Sequence, residues 1–413
     1  MQPFGLYLHI PFCFHKCPYC DFNTYAVTSV PEHDYIAALL AELDYRAAQP
    51  EWRGREVRTI FFGGGTPSLL SPAGITRLIH GAARLFPIND QAEISLEANP
   101  GTVTLESLQG YRSAGVNRIS IGAQSFQPEH LKFLGRLHSG EQVEEAFQAT
   151  RMAGFKNISI DLMHGLPNQT PAELQADIEK TIRLNPEHIS AYGLTIEKGT
   201  PLYTSVARGK VRIPQEKRLV ELMELLNKEL PRRGYYRYEV SNFAKLGREA
   251  RHNLAYWDSQ EYLGIGAGAH SYLLPDHQSK LPRRWSNFAL PIKYMKEATS
   301  TGQAEAWRDS LNLADAIFDY LFLGLRKIAG FSLTEFGDRF GFDFRSLYEN
   351  QLELHVEHKL LSLTHDRIAL TEQGLMVADS VIEEFSAPNL KQARAFVSAG
   401  PIQTISTGRV GNE

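Results

Sequence analysis

The three cysteines of this 413-residue chain all fall within one short stretch, spaced Cys13-x3-Cys17-x2-Cys20. An odd number cannot close a disulfide framework, and so tight a group in a reducing compartment points to metal or redox chemistry. Three thiolates in one loop can hold three irons of a [4Fe–4S] cluster and leave the fourth iron open to another ligand. A Cys3His zinc site, with His9 or His15 as fourth ligand, is the structural alternative. Such sites usually join two knuckles from separate segments, and no second knuckle is present. A redox pair with a spare thiol is the third reading.

The elements that must position this loop alternate in type. Strand-like runs at 5–10, 58–62, 92–97, 118–122, 157–161 and 188–193 are separated by amphipathic stretches near 33–48, 72–85, 104–113, 140–152 and 171–183, with a further one at 215–233. Such βα units predict a parallel sheet, and six of them suit a partial (β/α)6 barrel better than a closed eightfold one. A parallel barrel presents its ligands at the carboxyl ends of its strands. Here the first five strands end in the cysteine loop, in Gly63-Gly64-Gly65-Thr66, at Glu97, near Gln124 and at Asp161.

The glycine run is neither a phosphate P-loop nor G-x-G-x-x-G. Beside a cluster it suits a ligand with an amino-acid head group. Backbone carbonyls and Glu97 can hold an ammonium, and Arg136 can take a carboxylate as a bidentate pair. Gln124 and Asp161 suit ribose hydroxyls or an adenine edge.

Past residue 234 the pattern changes. An aromatic, strand-like run at 235–243 leads to His252-Asn253-Leu254-Ala255-Tyr256-Trp257 and a glycine-rich stretch at 264–270. From about 309 the chain reads as helices, a short hairpin at 361–371 and a last helix to 385, the order of a winged helix. Four Lys/Arg against eleven Asp/Glu in 331–386 argue against DNA binding there. The expected domains are a core barrel at 1–234, an extension at 235–308, a smaller α-rich domain at 309–386 and a loose tail at 387–413.

Composition sets the outer bounds. With 43 Lys+Arg, 47 Asp+Glu and 43% apolar residues the chain is ordinary globular material without an electrostatic footprint for nucleic acid. No apolar run reaches the length of a membrane span. The first residues lack the basic start, apolar core and cleavage site of a signal peptide, so the expected compartment is the cytoplasm.

These residues together resemble the radical S-adenosylmethionine (SAM) superfamily. Tyr7-x-His9-Ile-Pro-Phe-Cys13 and Cys17-Pro-Tyr19-Cys20 resemble in particular the branch containing oxygen-independent coproporphyrinogen III dehydrogenase. The resemblance implies a [4Fe–4S] cluster on Cys13, Cys17 and Cys20 with SAM on the open iron. It also implies SAM contacts from Tyr7, Tyr19, Gly64, Gly65, Thr66, Glu97, Gln124, Arg136 and Asp161. In that superfamily the reduced cluster passes an electron to the sulfonium of SAM.

Three details separate the chain from the dehydrogenase and make it similar to the HemW family of heme chaperones. Phe22 stands where the dehydrogenase carries a fourth cysteine, only six residues precede Tyr7, and the His252-Asn253-x-x-Tyr256-Trp257 motif is present. This likeness implies heme as cargo, with His252 as iron ligand, Tyr256 and Trp257 against the porphyrin, and Asn253 beside them. It further implies a heme-acceptor protein, an electron donor for the cluster, and no coproporphyrinogen dehydrogenase activity. Local residues alone favour a packed histidine with core aromatics, and the dehydrogenase is the alternative activity. The C-x-x-C-H of c-type heme attachment is absent, so a covalent bond to heme would use another side chain.

Overall fold

The computed structural model describes residues 2–276, 281–391 and 393–396. These form two compact units that divide between Leu313 and Ala314. The larger is built on one sheet. Its parallel core is β1 (Phe4–Ile10), β2 (Val57–Gly64), β3 (Ile88–Ala98), β4 (Arg118–Gln124), β5 (Ile158–His164) and β6 (His188–Gly193), hydrogen-bonded in that order. The helices between them are α1 (Glu32–Ala48), α2 (Pro72–Leu85), α3 (Leu105–Ala114), α4 (Gly140–Met152) and α5 (Pro171–Leu184), followed by α6 (Glu216–Arg232).

Each strand is buried on both faces, but the two faces differ in chemistry. On β1, Leu6, Leu8 and Ile10 join the apolar core, as do Ile119 and Ile121 of β4 and Ile158, Ile160 and Leu162 of β5. The alternate residues, among them Thr59, Ser95, Ser120, Ser159 and His188, are polar and also buried. Period-2 alternation thus places a polar interior inside an apolar shell. Helix starts are set by local chemistry. Thr104, Ser139 and Thr170 each close a capping box with the residue three further on, which fixes where these helices begin.

The sheet runs on beyond the six strands. A hairpin of β7 (Tyr236–Arg237) and β8 (Asn242–Ala244) adds antiparallel to β6. At the other edge β9 (Tyr262–Ile265) pairs parallel with β1, and β10 (His270–Leu273), β11 (Arg283–Asn287) and β12 (Glu305–Ser310) follow antiparallel, giving twelve strands in all. The glycine-rich stretch is therefore not a loop alone. It is the end of one strand, a turn and the start of the next. A Cβ on Gly264 would lie 2.0 Å from the His270 carbonyl oxygen.

A buried carboxylate ties this extension to the core. Glu42 of α1 accepts from the Gly266 N–H (3.1 Å), the Tyr294 hydroxyl (2.8 Å) and the Asn287 amide (2.7 Å), with Arg46 alongside at 3.7 Å. Burial pushes its pKa up, and these partners oppose that shift.

In the smaller unit, short strands at Phe331–Ser332, Leu361–Leu363 and Arg367–Leu370 form a three-stranded sheet. An aromatic core of Tyr320, Phe331, Phe336, Phe344 and Phe385 packs there. The tail expected to be loose is partly ordered: Asn389 donates to Leu347, and Phe396 to Gly341. Residues 392 and 397–413 of it lie outside the described residues. Among the described residues no helix is long and apolar enough to cross a membrane.

Replacing Glu42 by Ala leaves the Gly266 N–H and the Tyr294 hydroxyl without their acceptor and leaves Arg46 with Glu305 as its remaining carboxylate. The expected loss is about 3–5 kcal/mol of stability, read as a lower denaturant midpoint. A loss under about 1 kcal/mol would show that the network does not hold the extension.

Candidate active site

The carboxyl ends of β1 to β6 surround one cavity of about 750 Å³. The loop after β1 carries Cys13, Cys17 and Cys20 into its wall, all three partly buried and unbridged. Gly64 at the end of β2 with Gly65 and Thr66 after it, Glu97 on β3, Gln124 on β4, Asp161 on β5, and Tyr19 and Arg136 from loops line the same space.

Close backbone approach explains the glycines. The Gly65 N–H donates to the Ile10 carbonyl (2.8 Å) and the Thr66 N–H to the Phe12 carbonyl (2.9 Å). A Cβ on Gly65 would lie 2.7 Å from the Phe12 oxygen and 3.0 Å from Cys13 Sγ; on Gly64 it would strike the His9 ring at 2.5 Å. Gly64 also sits at φ +117°, a conformation that side chains resist. The Thr66 hydroxyl donates to Cys13 Sγ at 3.3 Å. Burial raises the Cys13 and Cys20 thiols, while hydrogen bonds from Thr66 and Thr24 pull them back. Bound iron would complete the deprotonation.

The charged groups are held by specific partners. Glu97 accepts from the Gly64 N–H at 3.1 Å. Its carboxyl is pushed up to about 7, first by burial and then by the neighbouring Asp161. Asp161 accepts from Ser120 (3.0 and 3.1 Å) and Ser159 (3.1 Å), and burial raises its pKa also. Arg136 donates to the Gly122 carbonyl at 2.8 Å and reaches Cys17 Sγ at 3.8 Å, while its buried Nε has no partner. Gln124 takes a left-handed φ of +67° where the β4–β5 register shifts, an unusual conformation for a non-glycine residue.

The donor set fits the group that the sequence implies. Three thiols face one space, an orphaned guanidinium Nε and two buried carboxyls converge on it, and the glycines leave room for backbone contact. His9 is not a fourth ligand for zinc: Tyr7 OH meets its Nδ1 at 2.9 Å, and its Nε2 meets the Asn23 carbonyl at 2.9 Å. Among the described residues no three His, Cys, Asp or Glu side chains are grouped to bind a single metal ion.

Five of the expected site residues lie elsewhere. Tyr7, on β1, packs against His9, Phe61 and His252, and His252, Asn253, Tyr256 and Trp257 sit on helix α7 (Arg251–Trp257). None of the five lines the cavity. His252 is 1% exposed, with Nδ1 at 2.8 Å from the Thr59 hydroxyl and Nε2 at 2.9 Å from the Tyr256 hydroxyl. Its ring stacks on Phe61 at 5.0 Å, and burial pushes its pKa down to about 3. The expected iron ligand therefore has both nitrogens engaged.

Sequence reasoning missed two supports. Asn23 donates to the carbonyls of Ala267 and Ala289, both at 2.9 Å, clamping the cysteine loop to the glycine-rich turn. Asp177 on α5 accepts from Ser125 (2.6 Å), the Phe126 N–H (3.1 Å) and Gln127 (2.9 Å), pinning the chain after Gln124. Their only signal is a polar residue at a buried helical or loop position.

Fold and cavity together define a radical SAM protein. Residues 7–181 match the Radical SAM superfamily and residues 311–377 the HemN C-terminal domain. The heme chaperone HemW of Escherichia coli is 39% identical over 94% of this chain and 99% of its own length. That of Bacillus subtilis is 36% identical over 92% and 98%. The solved structure of the Escherichia coli coproporphyrinogen III oxidase HemN, a radical SAM enzyme, aligns with a TM-score of 0.77 at 25% identity, covering 93% of this chain and 90% of that one. The chain belongs to the HemW family.

The raised carboxyl gives a signed prediction. Glu97 binds a proton in the folded state up to about pH 7 but in the unfolded chain only to about 4.5. Stability of the ligand-free protein should therefore fall as pH rises through that window. Glu97→Gln should flatten the slope and stabilise the protein at pH 7.5 by roughly 1–3 kcal/mol. Thermal melts at pH 5 and 7.5 check this; an unchanged slope would mean Glu97 ionises freely.

Proposed function

We propose that the chain is a heme chaperone. In this reading it holds a [4Fe–4S] cluster on Cys13, Cys17 and Cys20 with SAM at the open iron, binds heme, and passes it to an acceptor protein. The observation that carries the reading is the convergence of the cysteine loop, Glu97, Asp161 and Arg136 on one cavity in a chain related over nearly its whole length to HemW. When bound and reduced, the cluster supplies one electron to the sulfonium of SAM, and an external donor must restore it.

The chain's own residues orient that ligand. Arg136 presents its unpartnered Nε for a carboxylate, and Glu97, ionised, takes an ammonium beside the Gly64 N–H. Asp161, held by two serines, and Gln124 supply acceptors for ribose hydroxyls. Thr66 and Arg136 donate toward Cys13 and Cys17, an interaction that stabilises sulfur-borne negative charge.

The alternative, oxidative decarboxylation of coproporphyrinogen III, is favoured by the fold shared with HemN. One pair of assays separates the two. Anaerobically reconstituted protein is titrated with heme, and in parallel incubated with coproporphyrinogen III, SAM and a reductant. Saturable heme binding without protoporphyrinogen is the expected result. Protoporphyrinogen formed by protein that ignores heme would overturn it.

A further inference from the structure

We propose that a chain of hydrogen bonds, Asp161–Ser159–His188–Tyr238, links the cavity to helix α7, and that His188 and Tyr238 are positioning residues that seat α7 when the cavity is filled. This rests on the reading above that the cavity takes SAM. It joins that site to the His252-Asn253-x-x-Tyr256-Trp257 motif, none of whose residues lines the cavity. The chain begins at Asp161 on the cavity wall. Ser159 Oγ lies 3.1 Å from Asp161 Oδ1 and 2.8 Å from His188 Nδ1. His188 Nε2 lies 2.8 Å from the Tyr238 hydroxyl, which lies 3.2 Å from the Ala250 nitrogen at the start of α7. Ser159 and His188 face each other across β5 and β6, and both are fully buried.

The start of α7 depends on these distant groups because it does not cap itself. Ala250 stands at the N-cap and brings no side-chain oxygen. The first N–H groups of a helix have no partner inside it. Here the Ala250 N–H donates to Tyr238, and those of Arg251 and His252 donate to the Glu93 carboxylate at 3.1 and 3.2 Å. Glu93 is on β3, and Tyr238 lies between β7 and β8. The sheet therefore holds the helix start through two side chains, and one of them is the last member of the chain from the cavity.

The chain also has one direction. The Ala250 N–H can only donate, so the Tyr238 oxygen accepts there and its own proton goes to His188 Nε2. Burial, and after it the charge of Arg118, push the His188 pKa well down, so the ring is neutral and carries its one proton on Nδ1. That proton goes to Ser159, and the Ser159 proton goes to Asp161 rather than to the more distant Ser190 at 3.5 Å. The other tautomer would leave the Tyr238 proton no acceptor in the chain. Hydrogen bonds aligned in this way polarise and strengthen one another. A ligand hydroxyl that donates to Asp161 favours its carboxylate form, an acceptor on every side, and so keeps the whole order in place as far as Ala250.

The test is amide hydrogen exchange, read by mass spectrometry on peptides covering 248–257, in anaerobically reconstituted, cluster-loaded protein with and without saturating SAM. SAM binding itself is measured separately by equilibrium dialysis. In wild type, SAM should slow exchange at the start of α7 by roughly fivefold or more. Ser159→Ala, which removes no contact of α7, and Tyr238→Phe, which removes none of the cavity wall, should both abolish that response. Ser159→Thr, which keeps the hydroxyl, should restore it. Ser120→Ala takes a different donor from Asp161 and leaves the chain whole, so with SAM bound its α7 should respond as in wild type. A merely structural role for Ser159 would not reach the α7 amides. Wild-type protein that binds SAM with α7 exchange unchanged, or a wild-type response in Ser159→Ala, would overturn the link and leave the cofactor reading standing. A wild type that binds no SAM would overturn both.

Discussion

The approach of one backbone to another, at the ends of β1 and β2, decides the rest of the site. Gly65 and Thr66 hydrogen-bond to Ile10 and Phe12 across a gap that no Cβ fits. That contact sets where the chain leaves β1 and so where Cys13 stands. It places the Thr66 hydroxyl on the Cys13 sulfur, and it turns the Gly64 N–H toward Glu97. Three strands are thereby committed to one geometry by glycines whose only contribution is the absence of a side chain. The loop is then closed from its far side by Asn23, whose amide spans Ala267 and Ala289.

Energetically the cavity is arranged for a ligand rather than for stability. Glu97 and Asp161 are buried carboxyls with raised pKa values, and Arg136 keeps a buried nitrogen without a partner. Each is a cost in the free protein. Each would become favourable with a zwitterionic ligand in the cavity, because the groups are already oriented and little would have to reorganise. The Glu42 network beneath α1 is the opposite case. Its partners are all internal, and it stabilises the sheet extension against which the cysteine loop rests.

Much of this was legible in the chain itself. Strand and helix positions through α6 follow from period-2 and 3.6-residue patterns, and His188–Gly193 agrees residue for residue. The cysteine spacing and the polar strand ends pointed to one pocket, because a parallel sheet collects strand ends on one side. Other parts were not legible, for one shared reason. Asn23 acts on Ala267, Glu42 on Asn287 and His252 on Thr59, pairs separated by roughly two hundred residues or more, and no local pattern encodes such a contact. The His252 motif shows the limit most clearly. Histidine beside tyrosine and tryptophan reads equally as a ligand set or as packing, and the contacts of His252 with Thr59 and Phe61 lie far along the chain from the motif.

The central claim is that three cysteines hold a cluster whose fourth iron faces the cavity. Mössbauer spectroscopy of anaerobically reconstituted protein, with and without SAM, tests it most directly. The account predicts four irons per chain, one of which changes its parameters when SAM is added, and loss of that change in Arg136→Ala. One zinc per chain, or a cluster whose four irons ignore SAM, would contradict it.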